Sequence, residues 1–193
     1  MKEIYFATSN QHKLNEIQEI FKNHFIVKSI FDLVDYFEPE ECADSFIGNS
    51  TIKAVTAGSL VNKPVFADDS GLCIDSLKGF PGVKSARYME GHTYMEKMET
   101  LLKKIDNNRK AYFASAATFY DPKTHILIST EGRVYGSISK DIRGKNGFGY
   151  DPFFIPEGFE QTFGELGEEI KNKISHRFNA FDKLKDILYK LGL

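Results

Sequence analysis

The first thirty residues constrain the fold of this chain more than any other stretch. Residues 4–7 are apolar and typical of a strand, and Thr8, Ser9 and Asn10 after them are all residue types that cap helices. Apolar residues then recur at helical spacing, before residues 25–30 return to a strand pattern. A strand, a capped helix and a second strand form a βα unit, which predicts an α/β sheet at the N-terminus.

The turn between that strand and helix has two interpretations. Its backbone N–H groups and the helix dipole could bind a phosphate, or the polar residues could simply cap the helix, which is far more common. Lys13 lies in the first turn of the predicted helix. A cation is disfavoured there unless an anion is present to meet it, so Lys13 slightly favours phosphate binding.

Composition excludes several classes of function. The length of 193 residues allows one domain or two tightly joined lobes. The net charge of −2 gives no electrostatic basis for binding nucleic acid or a membrane surface. No apolar run reaches the roughly 20 residues that span a bilayer. Cys42 and Cys73 make neither a disulfide framework nor a metal motif. We therefore expect a soluble, cytoplasmic protein without a nucleic-acid or membrane partner.

Residues 49–61 are predicted to form a helix, and an acidic stretch follows at residues 68–70. Residues 65–67 are an apolar run typical of a buried strand, and Asp68, Asp69 and Ser70 come directly after it. Adjacent acids at the end of a buried strand are costly unless they are paired, hydrogen-bonded or placed at a metal. The alternative is a polar turn leading into a further strand, predicted at residues 72–77, because Asp, Ser and Gly are ordinary turn residues.

The middle of the chain predicts antiparallel strands. Residues 111–120 and 125–138 are two long β-prone runs joined by turn residues, which predicts a hairpin and therefore a mixed sheet. Before them, Thr93 and Glu96 form a capping box at the start of an amphipathic helix. Two more helices are predicted near the end of the chain, a short one at residues 165–173 and a long amphipathic one.

Glycines and aromatic residues are interleaved in residues 143–152, which suggests backbone that approaches a ligand, with Phe148 or Tyr150 offering a ring for stacking. His176 and Arg177 stand at the start of the last predicted helix and are suited to reading carbonyl acceptors. The alternative is a flexible surface loop followed by two surface residues with no role. Two aromatic residues lie between glycines in this loop, which is unusual for a flexible surface loop and therefore favours the ligand interpretation.

These features point to one class of ligand when they are taken together. A phosphate chain would occupy the capped turn, and a purine would occupy the aromatic loop. A divalent cation would lie at the acidic stretch together with the acidic cluster at residues 38–41. The combination predicts a nucleotide enzyme that uses metal-assisted phosphoryl chemistry. Neither the phosphate-binding loop of P-loop enzymes nor the dinucleotide-binding glycine motif is present.

Five blocks of the chain, in order and covering nearly its whole length, resemble the inosine/xanthosine triphosphate pyrophosphatase family. They are Thr8-Ser-Asn-Gln-His-Lys13, Phe66-Ala-Asp-Asp-Ser-Gly-Leu72, Gly79-Phe-Pro-Gly-Val-Lys-Ser-Ala-Arg-Tyr88, Gly147-Phe-Gly-Tyr-Asp-Pro152 and Lys171-Asn-Lys-Ile-Ser-His-Arg177. The resemblance implies Mg²⁺-dependent hydrolysis of ITP, dITP and XTP to the monophosphate and pyrophosphate, which would cleanse the nucleotide pool.

The resemblance also implies a fold and an assembly. Residues 1–193 would form a single domain of two lobes around a long mixed β-sheet flanked by helices, an α/β architecture with the active site in the cleft between the lobes. The family resemblance further implies a homodimer. A pocket of this family would favour the 6-keto group of hypoxanthine or xanthine over the amino group of adenine, which would leave buried donors unpaired.

Individual residues receive roles from the same resemblance. Asp69 would be the general base and, with Glu41, would bind Mg²⁺; Lys13 would neutralise charge on the phosphates; and Ser70 would touch the substrate. The triphosphate would be held by Thr8, Ser9, Asn10, Lys13 and Lys53. The base pocket would be formed by Phe148, Gly149, Tyr150, Asp151, Lys171, His176 and Arg177.

Two positions depart from the family pattern. Gly48 stands where the helix block usually carries an acid, which leaves Glu41 and Asp69 as the expected metal ligands. Ile170 replaces a second acid before Lys171, at the expected entry to the base pocket.

Two competing functions remain open at the level of sequence. One is a non-catalytic module that binds a nucleotide or RNA, and the other is the same chemistry on a modified pyrimidine or a standard dNTP. Strand alternation adds one further expectation, that only one of Asp68 and Asp69 points into the site, and the resemblance selects Asp69.

Overall fold

The computed structural model describes all residues from Met1 to Leu193 and contains one six-stranded sheet with five α-helices. The strands lie in the order β2-β1-β3-β4-β5-β6. They are β1 Lys2–Phe6, β2 Phe25–Ser29, β3 Val65–Ile74, β4 Lys110–Asp121, β5 Ile126–Ile138 and β6 Phe154–Pro156. The helices are α1 Gln11–Phe21, α2 Phe46–Val61, α3 Tyr94–Leu102, α4 Glu168–Ile174 and α5 His176–Lys190.

The sheet is mixed, as the sequence predicted. β1 pairs in parallel with β2 and with β3, with Ile4 opposite Val27 and Phe6 opposite Phe66. β5 pairs antiparallel with β6. The parallel pairs follow from the predicted βα unit, and β4 and β5 are neighbours in the sheet, as the predicted hairpin requires. The α/β fold class is confirmed.

The chain divides into two compact units, each assembled from segments distant in sequence. Unit 1 comprises Met1–Asp69, Ser115–Gly132 and Arg177–Leu193, and unit 2 comprises Ser70–Ala114 and Arg133–His176.

Unit 1 has a core on each side of its strands because successive strand residues point to opposite faces. Phe6 and Phe66 pack with Phe21 of α1 and Phe181 of α5, and the Phe21 and Phe66 rings stack with centroids 4.7 Å apart. The residues on either side of Phe6 and Phe66 in their strands point to the opposite face and pack in a second cluster with α2. This cluster contains Tyr5, Ala7, Val65, Ala67, Ala54 and Ala57. This alternation decides which helices Asp68 and Asp69 meet.

Unit 2 has a separate core rich in aromatic residues, to which α3 contributes Met98 and Leu101. The capping box of α3 is present as predicted, with the Thr93 hydroxyl accepting from the Glu96 N–H and the Glu96 carboxylate accepting from the Thr93 N–H. Met95, in the first turn of α3, is 50% exposed, and the buried residues of this helix begin with Lys97 and Met98.

The acidic stretch differs from the turn that its composition favours. β3 is a single ten-residue strand that runs through Asp68, Asp69, Ser70 and Gly71 without a break. The expected second strand at residues 72–77 is the end of β3 followed by a 3₁₀ turn at Asp75–Leu77. Both acids have buried partners, described below, so tertiary pairing overrides the local turn preference.

Two helix boundaries also differ from the prediction. α2 begins at Phe46 rather than residue 49, because the Ser45 hydroxyl caps it by accepting from the Gly48 N–H at 3.1 Å. α4 begins at Glu168 rather than residue 165, because the Glu165 carboxylate accepts from the Thr162 N–H at 2.9 Å and closes a separate turn.

None of the helices is both long enough and apolar enough to cross a membrane.

Candidate functional site

The turn between β1 and α1 is built by its own side chains. The Asn10 side-chain oxygen accepts from the N–H groups of His12 and Lys13 at 3.0 and 3.3 Å. The Thr8 hydroxyl accepts from the Asn10 N–H at 3.1 Å. Capping therefore accounts for Thr8 and Asn10, while Ser9 is exposed at the tip of the turn. The phosphate-binding role of these residues stays a prediction.

Lys13 reaches from the first turn of α1 to β3. Its ammonium donates to Asp68 Oδ1 at 3.0 Å, and its side chain is 18% exposed. Burial lowers the pKa of Lys13, and the charge of Asp68 partly offsets this effect. The lysine is thus a largely buried cation with one face still open to solvent.

Asp68 is the acid at the centre of a buried ionic network. Besides Lys13 it accepts from Arg177 Nε at 3.1 Å, and Arg177 also donates to Glu16 at 2.6 Å. Burial alone would raise the pKa of Asp68, but the charges of Lys13, Arg177 and Lys53 outweigh it and hold the pKa well below its usual range. Asp68 is therefore ionised throughout the physiological pH range and is committed to cations.

Arg177 is 1% exposed and lies between two carboxylates, Asp68 and Glu16. Burial would lower its pKa, but Glu16 and Asp68 raise it above its ordinary value. The sequence suggested a side chain that reads base carbonyls. The structure instead gives its guanidinium two acid partners within unit 1, and the base-reading role stays a prediction.

Asp69 points to the other face of β3 and has a different environment. It is 6% exposed, and its Oδ2 accepts from Asn49 Nδ2 of α2 at 3.0 Å. Burial raises the pKa of Asp69 to about 6; Lys53 and Asn49 oppose the rise, and the nearby charge of Glu41 adds to it. Asp69 is thus a carboxylate whose proton affinity is tuned close to neutrality.

Lys53 connects the acidic segment before α2 to β3. Its ammonium contacts Glu41 at 2.6 Å and donates to the backbone carbonyl of Asp68 at 2.8 Å. Unit 1 therefore brings together Glu41, Lys53 and Asp69, three residues that the sequence assigned to one site. Asn49 and Glu16 were missed, since a single Asn within a helix and a Glu on the polar side of α1 carry no motif of their own.

The acids fit a hard divalent cation such as Mg²⁺. No group of three or more His, Cys, Asp or Glu side chains is arranged to hold a metal. The two carboxylates that the resemblance assigned to a metal are Glu41 and Asp69. Glu41 lies close enough to raise the pKa of Asp69, and a cation between them would relieve that repulsion. Mg²⁺ commonly binds through one or two carboxylates and completes its shell with water and substrate phosphates.

The aromatic loop of unit 2 is organised around Asp151, which is buried. One oxygen of Asp151, Oδ2, accepts from the Phe148 N–H and from Lys171 Nζ, each at 2.7 Å. Gly147 has a φ of +72°, and a Cβ at that position would lie 2.1 Å from the same oxygen. Only glycine allows the backbone to wrap the carboxylate this closely.

The two aromatic residues of the loop have different surroundings. Tyr150 is buried, donates its hydroxyl to the Ser85 carbonyl at 2.9 Å, and belongs to the core of unit 2. Phe148 is half-buried, and its ring centroid lies 4.2 Å from Lys171 Nζ. The sequence proposed both rings for stacking on a base. Tyr150 is buried in the core, whereas Phe148 is only half-buried.

His176 is also packed inside unit 2, where it is 5% exposed. Its ring stacks on Phe113 with centroids 4.8 Å apart and planes 16° from parallel. Gly149 has a φ of +66° and Ser70 is partly exposed on β3. Lys171, Asp151, Phe148 and Gly149 thus form one cluster, and the substrate contacts expected of them stay predictions.

Comparison with known proteins gives the family. The model of the Ham1 family matches residues 4–187. The chain belongs to the Ham1 family. Two curated relatives named dITP/XTP pyrophosphatase are similar over almost their full length: that of Porphyromonas gingivalis is 39% identical, with 97% of this chain and 98% of the relative covered, and that of Dictyoglomus thermophilum is 42% identical, with 94% and 92% covered.

A solved structure supports the same assignment. The Staphylococcus aureus Ham1 protein superposes with a TM-score of 0.89 at 38% identity, covering 98% of this chain and 99% of that one. The resemblance drawn from the five sequence blocks is thereby confirmed. This Ham1 family member therefore carries two acids on adjacent positions of β3, Asp68 with a lowered pKa and Asp69 with a pKa raised to about 6.

Proposed function

We propose that this chain is a Mg²⁺-dependent pyrophosphatase that hydrolyses ITP, dITP and XTP between the α- and β-phosphates, giving the nucleoside monophosphate and pyrophosphate. The observation that carries the proposal is the environment of Asp69: a buried carboxylate with a pKa near 6, beside Glu41 and Lys53. The family membership and the names of the curated relatives support the same reaction.

Asp69 acts on the attacking water in this mechanism. A carboxylate with a pKa near 6 is a stronger base than an ordinary aspartate and is still mostly ionised at pH 7. The Asn49 amide fixes one carboxylate oxygen, which orients the other. Asp69 therefore positions the water and accepts its proton as the phosphoanhydride breaks.

Glu41 and Asp69 would hold Mg²⁺. When bound, the cation would polarise a phosphoryl oxygen and lower the pKa of coordinated water. The ion pair between Glu41 and Lys53 holds the Glu41 carboxylate beside α2, where a cation can meet it.

Lys13 and Lys53 supply fixed positive charge for the triphosphate. Thr8, Ser9 and Asn10 would offer hydroxyl, amide and backbone donors beside Lys13, at the N-terminus of α1. Asp68 keeps Lys13 extended towards β3, so the ammonium does not need to reorganise as negative charge develops on the leaving pyrophosphate.

The base would be bound by the unit 2 cluster, with Phe148 stacking on the purine and Lys171, Asp151, His176 and Ser70 completing the contacts. Lys171 is held by Asp151 and lies at the Phe148 ring, so an ammonium donor and a stacking face occur together. Such a donor favours the 6-keto group of hypoxanthine and xanthine. As the family resemblance implies, Tyr150, Gly149 and Arg177 would also contribute to recognition of the base.

The proposal extends to the organisation and role of the protein. We infer one domain formed by residues 1–193, acting as a homodimer in the cytoplasm and cleansing the nucleotide pool. These statements rest on the family resemblance. Light scattering after size exclusion tests the dimer, for which we expect twice the mass of one chain.

Product identity tests the reaction. ITP, dITP, XTP, GTP, ATP and dUTP are incubated with the enzyme and Mg²⁺ under one set of conditions, with pyrophosphate and orthophosphate measured separately. We expect pyrophosphate from ITP, dITP and XTP at rates at least tenfold above those of the other nucleotides. Release of orthophosphate alone, or saturable ITP binding without Mg²⁺-dependent turnover, would reject the proposal.

A further inference from the structure

Asn49 is a fully buried amide with both ends of its side chain engaged. It lies in the first turns of α2 and is 0% exposed. Its Nδ2 donates to Asp69 Oδ2 at 3.0 Å, and its Oδ1 accepts from the backbone N–H of Ala43 at 2.9 Å. A buried amide is costly unless it is hydrogen-bonded, so these two contacts explain how an Asn is accommodated inside unit 1.

The two partners of Asn49 belong to the two segments that carry the proposed metal ligands. Ala43 is two residues after Glu41 in the segment before α2, and Asp69 is the second ligand itself. One side chain therefore connects the backbone that carries Glu41 to the carboxylate of Asp69. An aspartate at position 49 could accept from Ala43 but would have no donor for Asp69.

The neighbouring residue allows this contact to form. Gly48 has no side chain, and a Cβ built there would lie 2.6 Å from the Ala43 Cβ and 3.0 Å from the Ser45 hydroxyl. The segment that carries Glu41 consequently packs directly on the first turn of α2. In this structure, a Cβ at position 48 would require the Ala43 side chain to shift.

Glu41 is also held by an ion pair with a residue of α2. Lys53 already contacts it at 2.6 Å, and Lys53 extends from the same helix as Asn49. Without the Asn49 side chain, the segment carrying Glu41 would lose its hydrogen bond at Ala43, and Asp69 would lose its amide donor. The separation between the two carboxylates would then no longer be fixed.

We propose that Asn49 is a positioning residue for the metal site, holding the Glu41 segment and the Asp69 carboxylate at the separation that lets both bind one divalent cation. This inference rests on the proposed function, since it assigns a role within the same site. Asn49 touches neither the substrate nor the metal in this account. Partners of this kind, which orient a metal ligand, typically change metal affinity or activity 10- to 100-fold when they are removed.

Asn49→Ala removes both hydrogen bonds and tests the proposal. Mg²⁺ and Mn²⁺ binding to the nucleotide-free enzyme is measured by titration calorimetry, and kcat and KM for ITP are measured at saturating metal. We expect the cation Kd to rise about 10- to 100-fold and kcat to fall, with KM for ITP changing less than threefold, because the groups that bind the nucleotide are untouched.

Ser50→Ala is the matched control. Ser50 is the next residue of α2 and is equally buried, but its hydroxyl contacts Thr118 at 2.7 Å rather than either acid. We expect its cation Kd and kcat to stay within twofold of the wild type. An equal loss of cation affinity in Ser50→Ala would show a general effect on α2 and overturn the specific role of Asn49.

Gly48→Ala provides a second route if Asn49→Ala does not fold. Alanine favours the helix, while its methyl group displaces Ala43, so the cation Kd is expected to rise without loss of helix stability. Wild-type cation affinity in a folded Asn49→Ala, or in Gly48→Ala, overturns the positioning role alone. A wild-type enzyme that neither binds the cation nor hydrolyses ITP would reject the proposed function, and the role of Asn49 with it.

Discussion

Asp68 and Asp69 are adjacent in sequence and chemically identical, yet the structure gives them opposite properties. Asp68 faces α1 and α5, where Lys13 and Arg177 hold its pKa below the usual range. Asp69 faces α2, where burial raises its pKa to about 6. The side-chain alternation of a strand is sufficient to separate a structural acid from a reactive one.

These pKa shifts predict opposite effects of two isosteric substitutions on stability. Asp69→Asn removes a charge that is penalised in the folded state, so at pH 7.5 without metal it should stabilise the protein by about 2 kcal/mol. Asp68→Asn removes the acid from a buried ionic network and should destabilise it by about 3 kcal/mol. Urea denaturation of both variants in EDTA measures the two changes.

The pH dependence of each stability change follows from the direction of the pKa shift of the substituted acid. The folded-state pKa of Asp69 is raised, so the gain from Asp69→Asn should be absent below about pH 4, should grow as the pH rises from about 4 to 6, and should be complete above that. The folded-state pKa of Asp68 is lowered, so the deficit of Asp68→Asn should be complete above about pH 5 and shrink as the pH falls below 4. Two differences of the same sign at pH 7.5 would contradict the assignment.

Lys171 gives a third residue-level prediction. Lys171→Met leaves the buried carboxylate of Asp151 without its cation and should cost about 3 kcal/mol of stability. The loop around Phe148 should loosen, raising KM for ITP more than it lowers kcat. Lys173→Met is the matched control on α4, because Lys173 is 68% exposed in a surface ion pair with Glu169 and should change stability by less than about 1 kcal/mol. A similar loss in both variants would refute the role of the buried pair.

At the level of elements, the sequence predicted the starts of α1 and α3 well, because their capping residues were recognised, whereas the Ser45 cap of α2 was missed. The Thr93–Glu96 capping box placed α3, and the capping residues after β1 placed α1. β3 was interrupted in the prediction because Asp-Asp-Ser-Gly has turn composition. What keeps it extended is a set of partners from α1, α2 and α5, which no local pattern contains.

The cap of α1 yields a prediction at this scale. Asn10 closes the first turn through two backbone N–H groups, so Asn10→Ala should lower stability by about 1 kcal/mol. If the turn also binds the triphosphate, KM for ITP should rise several-fold, whereas Asn10→Ser should preserve most of the cap. Thermal unfolding and initial rates measure the two effects separately. An unchanged KM in a destabilised Asn10→Ala would leave capping as its whole role.

At the level of the whole molecule, the resemblance supplied the residues of the site but not their connections. Glu16 and Arg177 are separated by 161 positions and form a buried ion pair at 2.6 Å. Such a pair depends on how α5 packs on α1, which is fixed by the apolar core that both helices share. Sequence spacing does not predict this ion pair. It also does not predict that Tyr150 is buried in the core while Phe148 is only half-buried.

In the proposed mechanism, Asp69 is the reactive acid and Asp68 is a structural one. The most direct test is the rate of pyrophosphate release from ITP in Mg²⁺ by the wild type, Asp69→Asn and Asp68→Asn, each shown to be folded at the assay temperature. We predict that Asp69→Asn lowers kcat at least about 100-fold, as loss of a general base does, and that Asp68→Asn lowers it less. Near-normal turnover by Asp69→Asn would contradict the account.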